Sequence, residues 1–130
     1  GPDYCRKANQ TVLTVVQIET AEAVDNLGAI LEVPGLTSVV IGPNDLSGAL
    51  GHMANPDHPE VVSVIESVIS KACRTSVFVG IAIGSDPKQG IHWREKGVHW
   101  LQFGVDFGLM VERADEVCKK VREQSNSSRK

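Results

Sequence analysis

The fold is decided by one stretch, VLTVVQIETAEAVDNLGAILEVPGLTSVVIGPNDL (residues 12–46). It contains two short runs rich in β-branched residues, Val12–Ile18 and Thr37–Ile41, which predict buried strands because they are continuous and do not alternate with polar residues. Between them, Ala21–Glu32 carries apolar residues at helical spacing, with a capping threonine before it and a Pro-Gly pair after it. The stretch therefore predicts a strand–helix–strand unit.

The rest of the chain repeats this pattern. Two further apolar runs, Val77–Ile83 and Val98–Phe103, predict strands that are also covered on both faces. Three more helices are predicted by apolar periodicity and capping residues. They cover Glu60–Arg74, the segment from Asp86 to Gly97, and Phe107–Glu123, the last burying Leu109, Met110, Ala114, Val117 and Val121. Four strand–helix units in succession predict an α/β fold with a parallel sheet and right-handed crossovers. The irregular stretch Ser47–His58 predicts a loop.

Length and composition predict one globular domain. The chain has 130 residues, of which 42% are hydrophobic and 22% charged, close to the averages of globular proteins. A net charge of −3 provides no basic surface for nucleic acid or anionic lipid. No apolar run reaches the length of about 18 residues that a membrane span requires, and no signal segment begins the sequence. We therefore expect a cytoplasmic protein with neither nucleic acid nor membrane as a partner.

The sequence also predicts the limits of the domain. Residues 1–10 are expected to form an N-terminal extension, in which Gly1-Pro2 is typical of a protease-cleavage scar. Residues 11–123 are expected to form the folded domain, and the polar residues 124–130 a disordered tail. The three cysteines have no CxxC spacing and predict buried, reduced thiols, not a disulfide framework or a zinc site.

Two carboxylates follow the two strands of the opening stretch. Glu19 comes directly after the first strand, and Asp45 comes shortly after the second. Ligand sites of parallel α/β folds lie at the carboxyl ends of the strands, and neighbouring strands about 4.8 Å apart bring such residues within reach of one small cation. Two hard oxygen ligands favour Mg²⁺ or Mn²⁺. The alternative is that each acid merely caps a helix or complements its dipole.

Several motifs give the chain a resemblance to a known family. These motifs are QIET (residues 17–20), IGPNDLS (41–47), HPEVVSVIESVISKA (58–72) and GVHWLQFGVDFGLM (97–110). With them, residues 11 to about 118 resemble the C-terminal half of the HpcH/HpaI class II aldolases. The resemblance implies four βα units that form half of a (β/α)₈ TIM barrel. It also implies a metal-dependent carbon–carbon lyase that carries out retro-aldol cleavage or decarboxylation of a small 2-keto acid, such as pyruvate or oxaloacetate derivatives.

The resemblance also implies roles for particular residues. Glu19 and Asp45 match the family's ligands for a divalent metal, Mg²⁺ or else Mn²⁺ or Co²⁺, which chelates the keto acid and stabilises an enolate as a Lewis acid. Gly42, Pro43 and Asn44 match the loop that receives the keto-acid carboxylate, Gly42 leaving room for it. Ala82 stands where the family usually places a leucine near the substrate, which bears on the size of the pocket.

Two features of the resemblance leave alternatives open. The family's catalytic His and its substrate-contacting Arg belong to the N-terminal half, so the matching assigns no catalytic residue, and only His52 and His58 are candidates for a replacement base. A catalytically silent half-barrel that binds a ligand or another subunit is therefore the main alternative. A pyruvate-kinase-like barrel is a third interpretation, disfavoured because neither motif lies near a Gly-rich phosphate loop or a Lys.

A half-barrel also implies a partner. Its first and last strands, Val12–Ile18 and Val98–Phe103, expose unpaired backbone edges beside an apolar inner face. We expect either a homo-oligomer, in which two copies pair their edges, or a separate chain that supplies the other half of the barrel.

Overall fold

The structure is a computed structural model that describes residues 1–127. Residues 128–130, which belong to the predicted disordered tail, lie outside the described residues. The four strands are β1 Val15–Ile18, β2 Ser38–Ile41, β3 Phe78–Ile83 and β4 Trp100–Phe103. The helices are α1 Pro2–Thr11, α2 Ala21–Asp25, α3 Leu27–Leu31, α4 Pro43–Ala49, α5 Pro59–Ala72, α6 Pro87–Glu95 and α7 Asp106–Ser127. The predicted N-terminal extension thus forms a helix, and α7 continues into residues predicted to be the tail.

The four strands form one parallel sheet in the order β1-β2-β3-β4. Each strand lies beside the next one along the chain, joined by a helical crossover, as the succession of strand–helix units predicted. The α/β class and the four βα units are confirmed. The outer strands are β1 and β4. The two backbone edges of the sheet therefore belong to the first and last strands, as predicted.

The helices cover one face of the sheet. Side chains alternate between faces along a strand, and the buried cluster takes one alternate set together with residues of α3 and α5. From the sheet that set includes Ile18, Val39, Ile41, Val79 and Ile81, and from the helices Leu27, Val61, Ile65 and Ile69. Each of these side chains contributes about 1.5–3 kcal/mol on burial.

The opposite face of the sheet is open. It carries the other alternate set, in which Val15 is 43% exposed and Phe78 is 53% exposed. The prediction that every strand is covered on both faces is therefore wrong for the outer strands β1 and β4, whereas it holds for β2, all four of whose residues are buried. Continuous apolar runs are typical of strands packed on both sides, but within residues 1–127 the helices pack on one side only.

Two helical segments differ from the prediction. The predicted helix over Ala21–Glu32 is two short helices, α2 and α3, because the backbone leaves helical geometry at Asn26 (φ −89°, ψ 5°). Helix α4 begins directly after β2 and includes Ser47, for which the sequence predicts a loop. Leu46 and Ser47 are fully buried, so α4 is held by packing, although seven residues are too few for a helical period to be recognised.

Helix α7 departs most from the prediction. Its residues Leu109, Met110, Val117 and Val121 are 40% to 67% exposed, and Ala114 is exposed as well. The predicted burial of this stripe is wrong within the described chain, because an amphipathic pattern shows that a face is apolar but not which molecule covers it. The three cysteines are unpaired, as predicted, but Cys5, Cys73 and Cys118 are all exposed, so their predicted burial is also wrong. None of the helices in residues 1–127 combines the length and the apolar composition that a membrane span requires.

Candidate functional site

An open cavity of about 560 Å³ lies at the carboxyl ends of the strands. All four strands or the segments that follow them contribute to its wall. The contributing residues include Gln17, residues 42–45, Ala82, Gly84 and Gln102. The predicted substrate-binding residues Gly42, Pro43, Asn44 and Ala82 and the predicted metal ligand Asp45 thus line one space.

Glu19 lies beside this cavity, against Gly42. The amide of Gly42 donates to the carbonyl of Ile18 at 3.2 Å, so the β1–β2 pairing continues past the last paired residues of the strands. A Cβ atom on Gly42 would lie 3.1 Å from Oε2 of Glu19 and 2.7 Å from Nε2 of Gln17. The space that the glycine leaves is therefore taken by these two side chains, and a larger residue would displace them.

Asp45 lies in the first turn of α4. Gly42 is the N-cap of this helix, and no side chain caps it. The exposed carboxylate of Asp45 borders the cavity at the same helix end that Glu19 approaches. Glu19 and Asp45 are thus brought to one end of α4, by a strand end on one side and a helix start on the other.

The two carboxylates do not serve as helix caps. The cap of α2 is Thr20, whose hydroxyl accepts a hydrogen bond of 3.1 Å from the amide of Ala23. Among residues 1–127, neither the carboxylate of Glu19 nor that of Asp45 accepts a hydrogen bond or takes part in an ion pair. The capping alternative is thus removed for both acids, although Asp45 still complements the dipole of α4. Two acids without partners at one cavity remain able to bind a cation.

The chemistry of the donor set fits a small, hard divalent cation. Both side chains offer carboxylate oxygens, and the described residues that line the cavity include neither His nor Cys. Mg²⁺ is commonly held by one or two carboxylates and keeps several positions for water and substrate oxygens. Carboxylate ligands suit Mn²⁺ equally well.

Two glutamines of the cavity wall were not predicted from the sequence. Gln17 and Gln102 are the polar residues of β1 and β4, each one position before the end of its strand, and both border the cavity. Their amides can donate to or accept from a bound molecule. A lone polar residue inside an apolar strand, next to its carboxyl end, is the sequence feature by which both were recognisable.

His52 and His58 lie in the loop between α4 and α5. Neither is among the described residues that line the cavity, whereas Pro56 and Asp57, which lie between them in sequence, are. The imidazole rings stack with centroids 3.5 Å apart, and Nε2 of His52 lies 2.8 Å from Oε2 of Glu60. This hydrogen bond, with the nearby charge of His52, holds the pKa of Glu60 below its usual value. A role for either histidine as a base stays a prediction.

Comparison with known proteins identifies a family. A family model described as HpcH/HpaI aldolase/citrate lyase matches residues 1–113. A 4-hydroxy-2-oxo-heptane-1,7-dioate aldolase from Salmonella paratyphi C is 37% identical over 127 residues, which cover 98% of this chain and 48% of that protein. The Escherichia coli aldolase of the same name is 40% identical over 114 residues, which cover 88% of this chain and 43% of that protein. The chain thus spans about half the length of these curated relatives.

Solved structures give the same picture. An HpcH/HpaI aldolase/citrate lyase family protein from Burkholderia cenocepacia superposes with a TM-score of 0.86 at 30% identity, over 92% of this chain and 46% of that one. Macrophomate synthase superposes with a TM-score of 0.76 at 21% identity, over 96% of this chain and 44% of that one. At this identity the likeness concerns the fold alone. The four βα units correspond to about half of a TIM-barrel-like aldolase chain.

Proposed function

The chain belongs to the HpcH/HpaI aldolase/citrate lyase family, and we propose that it carries the metal- and substrate-binding part of a carbon–carbon lyase. The substrate class is a small 2-keto acid, such as a derivative of pyruvate or oxaloacetate, and the reaction is retro-aldol cleavage or decarboxylation. One observation supports this above all. Glu19 and Asp45, whose carboxylates have no partner in the described part of the chain, lie at the same helix end beside a cavity at the carboxyl edge of the sheet.

In this proposal Glu19 and Asp45 hold the divalent cation. Class II aldolases of this family depend on divalent metals in general, and the two carboxylates favour Mg²⁺, with Mn²⁺ or Co²⁺ as substitutes. When bound, such an ion supplies a Lewis acid for the oxygens of the keto acid. The carboxylates keep their positions because β1 fixes Glu19 and α4 fixes Asp45.

Other residues of the cavity bind and orient the substrate. The first turn of α4 has backbone N–H groups without intrahelical partners, and those of Asn44 and Asp45 are suited to a substrate carboxylate. Pro43 restrains the backbone there. The amides of Gln17 and Gln102 are suited to hydrogen bonds with the substrate's remaining oxygens. Ala82, half-buried in the wall, leaves room for a bulkier substrate than the family's usual leucine would.

The open face of the sheet supports a partner. Its exposed residues Val15 and Phe78, together with the unpaired edges of β1 and β4, favour association with a second copy or with a chain that completes the barrel. We propose that the active form is such an assembly.

Oxaloacetate decarboxylation tests the proposed activity. The purified chain is incubated with oxaloacetate and Mg²⁺ or Mn²⁺, and pyruvate release is followed in parallel for Glu19→Gln and Asp45→Asn. We expect metal-dependent release that falls more than about tenfold in both variants, because each removes a metal ligand. The control is Glu32→Gln, an exposed carboxylate at the end of α3, which should keep the wild-type rate. Equal rates in all four proteins, or release without metal, would contradict the proposal.

A binding module without catalysis is the second candidate. It is favoured by one observation: the candidate bases His52 and His58 are not among the described residues that line the cavity. Metal-dependent binding of oxaloacetate that is lost in Glu19→Gln, without any pyruvate release, would support this candidate over the lyase.

A further inference from the structure

A second group of possible metal ligands lies apart from Glu19 and Asp45. Among residues 1–127, one ring nitrogen each of His52 and His58 and one carboxylate oxygen of Glu60 lie within 4.8 Å of one another. His52 and His58 bracket a short loop, and Glu60 is the second residue of α5. We propose that these three side chains form a binding site for a transition metal of the Zn²⁺ type, which ties this loop to the start of α5.

The donor types distinguish this site from the carboxylate pair. Two imidazoles and one carboxylate suit Zn²⁺, Ni²⁺ and Co²⁺, whereas Mg²⁺ takes oxygen ligands. Three protein ligands leave one position of a tetrahedral ion for water or for another molecule. The chain would therefore carry two sites of different chemical preference, one for a hard ion and one for a borderline ion.

The three side chains are already assembled. Nε2 of His52 is 2.8 Å from Oε2 of Glu60, and the two imidazole rings are stacked 3.5 Å apart at 15°. The His52 side chain is only 24% exposed. Gathering the ligands therefore costs little further conformational entropy when an ion binds.

Binding requires a small rearrangement. Ligand atoms of a tetrahedral Zn²⁺ site with bonds near 2.1 Å lie about 3.4 Å apart, so the contact between His52 and Glu60 has to widen and give up its proton. The rings have to turn out of their parallel stack, because the lone pair of each nitrogen lies in the plane of its own ring. The imidazole ring of His58 accepts only one hydrogen bond within residues 1–127, a long one of 3.3 Å from the amide of Glu60, so little opposes rotation of the ring.

The loop connects this site to the cavity. Pro56 and Asp57 lie between His52 and His58 in sequence and line the cavity wall. The loop also contains two backbone hydrogen bonds. The amide of Asn55 donates to the carbonyl of His52, and the amide of His58 donates to the carbonyl of Asn55. Ala54 has a positive φ of 58°. An ion held at both ends of the loop would fix this part of the wall.

Calorimetric titration with Zn²⁺ tests the site. Excess Mg²⁺ is present to fill the carboxylate pair, and all proteins carry serine in place of the exposed thiols Cys5, Cys73 and Cys118, which would also bind Zn²⁺. We expect one equivalent to bind, with affinity falling more than about tenfold in His52→Gln and in Glu60→Gln. The control His92→Gln, an exposed histidine of α6, should bind as before.

Two further measurements keep the test decisive. His58 caps α5, so His58→Gln is compared only after circular dichroism shows an unchanged helix content. Amide hydrogen exchange of Asn55 and His58 should slow when Zn²⁺ is added and stay unchanged with Mg²⁺ alone. A Glu19→Gln/Asp45→Asn double variant should bind Zn²⁺ normally. Absence of binding, equal affinity in every variant, or loss of binding only in this double variant would overturn the proposal.

Discussion

Nε1 of Trp100 donates a hydrogen bond of 2.8 Å to the hydroxyl of Ser38, which links β4 to β2 across the intervening strand β3. The indole ring lies over Gly80 of β3, where a Cβ atom would stand 2.2 Å from Cε2 of the ring. The same hydroxyl donates to the carbonyl of Phe78 at 2.9 Å. On the face that no helix covers, one aromatic side chain therefore joins three strands.

Gly80→Ala should destabilise the sheet, because the added methyl group meets a rigid ring and forces Trp100 away from Ser38. We expect a loss of about 1–3 kcal/mol in the free energy of unfolding, typical of overpacking, measured by urea denaturation. The control is Gly28→Ala in α3, where a Cβ atom meets nothing within 4 Å. This control should gain up to about 1 kcal/mol from helix propensity. Similar midpoints of urea denaturation for the two variants would show that the indole ring of Trp100 moves aside without cost.

Gly42→Ala should weaken metal binding more than it weakens the fold. The new methyl group meets Nε2 of Gln17 and Oε2 of Glu19, the ends of two flexible side chains that can move aside, and it lies 3.2 Å from Cβ of Glu19, which needs a shift of only a few tenths of an ångström. The displaced Glu19 carboxylate then no longer holds the ion, and we expect Mn²⁺ affinity, measured by calorimetry, to fall about 10–100-fold. Gly48→Ala is the control in the same helix, since it displaces only the side chain of Met53. Unchanged Mn²⁺ affinity in Gly42→Ala would show that Glu19 is not a ligand of the ion.

Lys120→Met should raise the pKa of Glu116 in α7. Hydrogen bonds from Lys120 and Arg113, together with their charges, lower this pKa from 4.5 to about 2. Because the folded-state pKa is lowered, the stabilisation by this ion pair is complete above about pH 4.5 and is lost as the pH falls through about 2. The pKa is read from an NMR titration of the side-chain carboxyl carbon. Lys119→Met removes a neighbouring charge and should leave the pKa much lower than Lys120→Met does; equal values would contradict the assignment.

The chain should associate at micromolar concentration through the open face of its sheet. Light scattering is expected to give a mass above the 14.0 kDa of one chain. Val15→Lys places a charge on that face and should shift the mass towards a single chain, because burying an unpaired charge is costly. Ala29→Lys adds the same charge to an exposed position of α3 and should leave the mass unchanged. A stable monomer of the wild-type chain would contradict the proposed assembly.

The parts of the fold that sequence predicted are those fixed by local pattern. Four runs of β-branched residues specified four strands, and the intervening helices required them to be parallel, which put Glu19 near Gly42 and Asp45. The short helix α4 escaped prediction because its stability comes from the burial of Leu46, a tertiary effect. The exposure of α7 and of one sheet face was not predicted either. An apolar pattern is the same whether the residues that pack against it belong to the same chain or to another.

Within the site, the carboxylate at the end of β1 was easier to predict than the two glutamines. A carboxylate at the end of an apolar strand is costly to bury, so Glu19 was conspicuous. Gln17 and Gln102 stand only one position from the ends of their strands and look like minor interruptions of an apolar run. Only the register of the sheet shows that both border the same cavity.

The alternation along the strands separates two kinds of evolutionary constraint. Ile81 is fully buried beneath the helices, while its neighbour Ala82 faces the cavity, and Leu101 and Gln102 repeat the arrangement on β4. Selection for thermal robustness therefore falls on Ile81 and Leu101, and selection on what the cavity binds falls on Ala82 and Gln102. Descendants of this chain can diversify their chemistry by single substitutions at the wall without eroding the scaffold that carries it.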